Sequence, residues 1–309
     1  MTSTPPQISV VIPTRRRPDS LVRAARSVFR QLDVSLATLE LIVVDNDPDA
    51  SAKDVARRLK AEAPFPLVYV HKPEPGVAGA RNAGLAAASG PMIAFLDDDE
   101  EASPGWLAAL TAVQARFDAD VVFGPVRGRA PDGVDRHRDY FEGFFSRIGP
   151  AEAQVLDGHY GCGDSLIRRA ALPHPTAPFA LSRNHIGGED DLLFQQMRAA
   201  GRSFAWAPEA WVWEHPEPTR VTLGYALRRA FAYGQGPTFA CVTSTPPDWT
   251  GAVRWMAVGL GQTLVFGAAA LAKWVVRSPD RAQTFDRAAR GLGKLLWFGP
   301  FKQRFYGLP

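Results

Sequence analysis

The chain has 309 residues, 46% of them hydrophobic and 22% charged, with a formal net charge of +3. This is an ordinary globular composition, enough for one large domain or two modest ones, without low-complexity tracts or internal repeats. Its two distant cysteines, Cys162 and Cys241, exclude a disulfide framework and a zinc pattern and fit a reducing compartment.

The N-terminal MTSTPPQ has neither a charged n-region nor an apolar h-region, so no signal peptide is expected. ISVVIPT (Ile8–Thr14) is a short β-branched run stopped by Pro13 and reads as a buried strand. A helix follows, with Asp19 or Ser20 as its cap and Leu21, Val22, Ala25, Val28, Phe29 and Leu32 on one face. LELIVVD is a second buried strand ending at Asp45, SAKDVARRLKAEA a helix and PLVYVHK a third strand. GVAGARNAGLAAASG reads as an Ala-rich helix closed by Gly90-Pro91, and Met92–Leu96 as a fourth strand. Ser103-Pro104 reads as the start of the next helix, a cap followed by N1.

Strands alternating with helices imply parallel βαβ units. Ligands of such sheets bind beyond the carboxyl ends of the strands, so Asp45 and Asp97–Asp99 are expected on one rim. Five consecutive carboxylates, Asp97 to Glu101, repel one another unless a cation or many donors neutralise them. Hard oxygen ligands suit Mg²⁺ or Mn²⁺, which complete their shells with waters and phosphates. A metal-bound diphosphate is therefore the expected occupant, against the alternative of a solvated acidic loop.

The segments ISVVIPTRRRP, LIVVDNDPD, PGVAGARNAGL, IAFLDDDEEASPGWL and GGEDDLLFQQMRAAG stand in this order. Together they resemble the family 2 glycosyltransferases, from about Gln7 to His215. The resemblance implies a GT-A fold: α/β, with a mostly parallel central sheet flanked by helices. It implies inverting transfer of a sugar from a nucleotide diphospho-sugar. It assigns Asp99 to the metal, with Asp97 and His215 as further ligands. Asp97 or Asp98 would contact ribose or sugar, and Pro13, Thr14 and Arg15 the nucleoside. Asp45 matches the first acid of a base-binding motif whose second acid is here Asn46, followed by Asp47, which puts a uracil preference in doubt. Arg81 and Asn82 fall on a segment the family keeps near the nucleotide; as a bare sequence position, Arg81 reads equally as a surface helix residue. Asp190 matches the catalytic base and Glu189 an acceptor-binding acid. Asp191 reads as complementing a helix dipole. His159, His174 and His185 have no spacing that argues for a site.

VTLGYALRRAFAYGQG reads as a basic amphipathic helix. Between Arg254 and Lys273 lie 18 uncharged residues, at the low edge for a membrane span. From Lys273 on, eight Lys/Arg face two Asp, so the basic surplus lies in the tail. The tail is expected either to hold the protein at the cytoplasmic face of a membrane or to pack as a helical hairpin. The expected division is a catalytic domain over 1–218 and a helical extension over 219–309. A Q-x-x-R-W motif is absent, because Gly251 stands where its Gln would be, so a chain-extending synthase is not expected. The leading reading is single-sugar transfer to a glycan or lipid-linked acceptor in envelope or exopolysaccharide synthesis, with no nucleic-acid partner. A sugar-phosphate nucleotidyltransferase and a non-catalytic binding module with the same fold are the alternatives; IPTRRRPDS lacks the nucleotidyltransferase Gly-rich loop.

Overall fold

A computed structural model describes residues 5–184 and 187–301. The first half alternates as the sequence predicts: β1 (Ile8–Thr14), α1 (Pro18–Phe29), β2 (Leu39–Asp45), α2 (Lys53–Glu62), β3 (Leu67–His71), α3 (Val77–Ala87) and β4 (Met92–Phe95). Then come β5 (Glu100–Ala102), α4 (Trp106–Phe117), β6 (Val121–Phe123), β7 (Val126–Gly128), α5 (Arg138–Phe145), β8 (Gln154–Leu156) and β9 (Ser165–Arg168). The chain continues through α6 (Glu189–Ala199), β10 (Phe204–Trp206), β11 (Val212–Glu214), α7 (Leu223–Thr243), α8 (Trp249–Val275) and α9 (Arg281–Leu295).

The main sheet has the order β3-β2-β1-β4-β9-β6-β10-β8. Its first four strands are mutually parallel, β9 runs against both neighbours, and β6 and β10 are again parallel. The sheet is thus mixed α/β, with a parallel half carrying the rim. Val10, Ile12, Leu41 and Val43 face one core layer with α1, α2 and α4. Val11, Ile42 and Val44 face the other, with α3 and α6. Burial on both faces explains why these strands read as unbroken apolar runs. Helix α3 lies so close to the sheet that a Cβ on Gly84 would stand 2.4 Å from Val11 Cγ1.

Three local expectations are corrected. Helix α1 starts at Pro18 with Arg17 as N-cap, not at Asp19 or Ser20, and it ends before Leu32, which is 59% exposed. Helix α4 is capped by Gly105. Ser103 is instead held as strand continuation, its N–H donating to Trp211 O and its carbonyl accepting from Gln31 Nε2. The cause is β5: the carboxylate run is itself partly a strand, paired antiparallel with β11.

By compactness the chain forms two units. Among the described residues the first comprises 5–127 and Ser146–His215, and the second comprises Gly128–Phe145 and 216–301. The expected division at residue 218 is contiguous, whereas here α5 belongs with the C-terminal helices. Within the second unit, Tyr140, Phe141 and Phe145 of α5 share a core with Val221, Ala226 and Ala282. Helix α9 lies tightly against α7, since a Cβ on Gly293 would fall 2.0 Å from Phe231 O.

Candidate active site

The parallel strands bring Thr14, Asp45 and the Asp97–Asp99 turn to one rim, because β1 pairs in register with both β2 and β4. Thr14 Oγ1 donates to Asp98 Oδ2 at 2.7 Å. Arg17, at the head of α1, reaches Asp98 Oδ1 at 3.0 Å and Asp99 Oδ2 at 3.2 Å. Asp98 and Asp99 are buried, whereas the Asp97 side chain is 40% exposed. Burial, then the charge of Asp99, pushes Asp98 up to about 7 in spite of Arg17 and Thr14. Glu100 is driven well above the usual carboxylate range by burial and by its neighbours Asp97 and Asp164. Its Oε2 accepts the Asp97 N–H at 2.8 Å, which shapes the turn.

Behind this turn lies Arg81 of α3. It is 5% exposed, so it is not a surface helix residue. Its guanidinium pairs with Glu189, reaches Asp97 Oδ1 at 3.4 Å and Asp190 Oδ2 at 4.0 Å, and stacks over Phe179. It therefore joins the strand-end acids to the acids that open α6.

Those two acids differ sharply. The Glu189 side chain is 4% exposed and tied to Arg81, while that of Asp190 is 20% exposed. Burial raises Glu189, with Arg81 opposing. For Asp190 burial also acts upward, but Arg81 and the N–H groups of Cys162 and Asp191 outweigh it and hold the carboxyl below its usual range. Cys162 N donates to Asp190 Oδ2 at 3.0 Å and Asp191 N to Oδ1 at 2.9 Å. Asp190 is thus a carboxylate favoured in its charged form and partly open to solvent, and Glu189 an internal anchor.

The loop carrying Cys162 is clamped in turn. Arg147 donates to Gly161 O at 3.2 Å and to Gly163 O at 2.6 Å. A Cβ on Gly163 would lie 2.7 Å from Asp97 Oδ2 and 3.0 Å from Glu100 Oε1, so a larger residue there would push these carboxylates aside. Under it, Asp164 Oδ1 accepts from Trp106 Nε1 at 2.7 Å, and burial pushes this acid up to about 7.

The remaining sequence-predicted residues fall into two groups. Pro13 and Arg15 flank Thr14 on the rim and are half-buried. Asp45 faces inward and accepts from Asp47 N, Ala52 N and Tyr69 Oη. The Asn46 amide donates to Lys72 O and Glu74 O, and its oxygen accepts from Gly76 N. Asn82 makes a two-way pair with the Phe179 backbone. Asp45, Asn46 and Asn82 thus brace the loops around the rim, where the sequence suggested direct nucleotide contacts. His215 is set beside Asp99 by its N–H, which donates to Asp99 O at 2.8 Å, while its Nε2 lies 3.0 Å from Glu101 Oε2. His159 lies near α6, with Nε2 3.3 Å from Asp191 Oδ1; His185 is outside the described residues.

Among the described residues no three His, Cys, Asp or Glu side chains converge as a ready-made cage. The crowded carboxylates with raised affinity for protons nonetheless fit a hard divalent ion that takes one or two protein oxygens and fills its shell from waters and phosphates. Sequence reading missed Arg17, Arg147, Cys162 and Asp164. Arg17 had a signal, the Arg15–Arg17 run before Pro18 at a strand end. Arg147 had none, since its partners lie on a distant loop.

Residues 9–174 match the family described as glycosyl transferase family 2. The chain is 37% identical over 230 residues to the succinoglycan biosynthesis protein ExoM of Rhizobium meliloti, covering 74% of this chain and 73% of that one. It is 29% identical over 237 residues to the glycosyltransferase AglE of Haloferax volcanii, with 76% and 74% covered. Among solved structures, the mannosyltransferase PcManGT from Pyrobaculum calidifontis, in complex with GDP-Man and Mn²⁺, superimposes with a TM-score of 0.64 at 21% identity, over 96% of this chain and 88% of that one. That likeness speaks for the fold. The matched family region and the ExoM relative together show that the chain belongs to glycosyl transferase family 2 and is a glycosyltransferase.

Proposed function

We propose that the enzyme moves one sugar from a nucleotide diphosphate to a hydroxyl of a glycan or lipid-linked acceptor, with inversion, in the synthesis of an envelope or extracellular polysaccharide. The observation that carries this reading is the separation of roles between adjacent acids: Asp190 open and held ionised, Glu189 buried on Arg81. Relatives named for succinoglycan biosynthesis support the polysaccharide setting.

Asp190 takes the proton of the acceptor hydroxyl as its oxygen attacks the anomeric carbon, and the bond from that carbon to the diphosphate breaks with its electrons. A single displacement of this kind inverts the centre. Arg81 keeps Asp190 charged and fixed, and Glu189 keeps Arg81 in place. Thr14 and Arg17 position Asp98 and Asp99, while Pro13 and Arg15 line the nucleoside side of the rim. Asp99 and Asp97, with His215 close by, would hold a divalent cation, Mn²⁺ or Mg²⁺, which when bound would supply charge neutralisation for the departing diphosphate. Asp45, Asn46 and Asn82 keep the surrounding loops in shape for the nucleotide. The tail places the enzyme at the cytoplasmic face of a membrane, where a lipid-linked acceptor resides.

Titration with UDP, dTDP and GDP, with and without Mn²⁺, followed by a hydrolysis screen of nucleotide-sugars, tests the reading. Metal-dependent nucleotide binding with slow donor hydrolysis is expected. Binding without turnover toward any donor or acceptor would leave only a binding module.

A further inference from the structure

Helix α8 exposes more apolar surface than its packing explains. Its apolar core has a mean hydropathy of 1.5, yet only 11% of that stretch is buried. Trp249, Val253, Leu264, Val265, Leu271 and Trp274 are each more than 60% exposed. Helix α9 covers the opposite side, where a Cβ on Gly259 would meet Gly291 O at 2.7 Å. Between Trp249 and Phe301 there are seven Lys/Arg against two Asp. Of these, Arg254, Arg277 and Arg287 are exposed. An open apolar face set among exposed cations complements an anionic bilayer surface.

By length alone, α8 could cross a membrane: 18 uncharged residues rise roughly 27 Å. What lies beside its middle argues otherwise. Phe266 stands between Trp255 and Trp274, near the centre of the apolar stretch. The exposed Arg287 of α9 stacks over that ring, with its Cζ 5.3 Å from the centroid. Next to Arg287 in the chain, Asp286 pairs with Arg290 at 2.6 Å and accepts from Tyr140 Oη of α5 at 3.1 Å. A crossing helix would carry Arg287, an ion pair and the end of a second polar helix to hydrocarbon depth, among the costliest placements for charge. Laid in the plane of the interface, α8 sinks its outer face about 5–10 Å into the headgroup and acyl boundary. The charged groups of α9 then stay on the water side, and Arg254 and Arg277 extend to headgroups from the two ends.

We propose that α8 is an in-plane docking helix that lies along an anionic membrane surface and does not cross it. The inference rests on the membrane contact proposed above and is independent of the catalytic assignments. It is tested on the full chain with Cys241→Ser, and with Val253→Cys, Leu264→Cys or Val276→Cys added singly. Each variant is mixed with phosphatidylcholine vesicles with or without phosphatidylglycerol, floated at low and high salt, and treated with a membrane-impermeant thiol reagent.

Flotation only with phosphatidylglycerol, weakened by salt, is expected. Val253→Cys and Val276→Cys should both react from outside, while Leu264→Cys is shielded. The double variant Leu264→Glu/Leu271→Glu should float about tenfold less and match the full chain in its Mn²⁺-dependent binding of UDP, dTDP and GDP. Protection of one end inside the vesicle would overturn the inference in favour of a span. Absence of flotation with either lipid would overturn the membrane contact itself. A lipid-free dimer that already shields Leu264→Cys would show that a second copy covers this face.

Discussion

The Cys162 amide donates to Asp190 Oδ2 at 3.0 Å, so the open carboxylate of the site is aimed by a loop rather than by its own helix alone. That loop is fixed by Arg147 through Gly161 O and Gly163 O. Arg147→Gln is expected to lower kcat tenfold or more and to weaken donor binding less, because the base loses aim while Asp97 loses only one of the two positive charges that favour its ionised form. Arg147→Lys should recover part of the loss. Calorimetric donor titration beside steady-state kinetics checks this; equal loss in donor binding would mean general collapse of the loop.

Asp190→Asn keeps shape and removes the basic oxygen. Its kcat should fall by about 10²–10⁴ with donor binding preserved. The same residue has a pH signature. Because, in spite of burial, Arg81 and two backbone N–H groups hold Asp190 below its usual range, the base stays charged through mildly acidic pH, and its protonation cuts activity only below the ordinary aspartate range. An acid limb near neutrality, measured on kcat/KM, would instead report Asp98, whose carboxyl sits at about 7.

Asp99→Ala should abolish Mn²⁺-dependent binding of a nucleoside diphosphate and leave the far-ultraviolet spectrum unchanged. Unaltered metal-dependent affinity in isothermal titration would remove Asp99 from the metal site.

Asp164 gives a stability readout. Its folded value of about 7 exceeds the ordinary 3.8, so between those pH values the folded state holds a proton the unfolded chain has lost. Stability from this group is therefore full below about pH 4, declines as pH rises to about 7 and is level above; the span is on the order of 4 kcal/mol. Asp164→Asn retains an acceptor for Trp106 Nε1 and should flatten that decline. Urea unfolding at pH 5 and pH 8 compares the two proteins.

Asn46→Asp restores the acid pair usual in the family yet should destabilise this chain. Asn46 donates to two carbonyls, Lys72 O and Glu74 O, each at 2.8 Å. A carboxylate cannot donate, so two carbonyls, on half-buried Lys72 and exposed Glu74, each lose a hydrogen bond worth about 0.5–1.5 kcal/mol. A urea midpoint unchanged from wild type would show that the loop rearranges freely.

Sequence reading reached the parallel strands and the rim because two-sided burial leaves an unambiguous mark: apolar runs that stop at Thr14, Asp45 and Asp97. Pattern and spacing alone do not separate Glu189 from Asp190, which only the family resemblance distinguishes. Adjacent residues in a first helical turn point about 100° apart, and only the distant Arg81 and Cys162 decide which acid is anchored and which is open. Arg81 reads equally as a nucleotide contact and as a surface residue because an Ala- and Gly-rich helix carries no amphipathic stripe to show which side is covered. Glu100 defied the pattern for a related reason: a strand of acids is readable only once β11 is known to lie beside it.

The second unit takes α5 from the middle of the chain and its other helices from the end. On the ribosome this has a cost in time. Tyr140, Phe141 and Phe145 leave the exit tunnel long before Ala282, the partner that closes their cluster. At about 5–20 residues per second the wait is on the order of ten seconds, during which three aromatic side chains offer an adhesive surface to chaperones or to neighbouring nascent chains. A message truncated before α9 would leave Tyr140, Phe141 and Phe145 with only the Val221 and Ala226 side of their cluster.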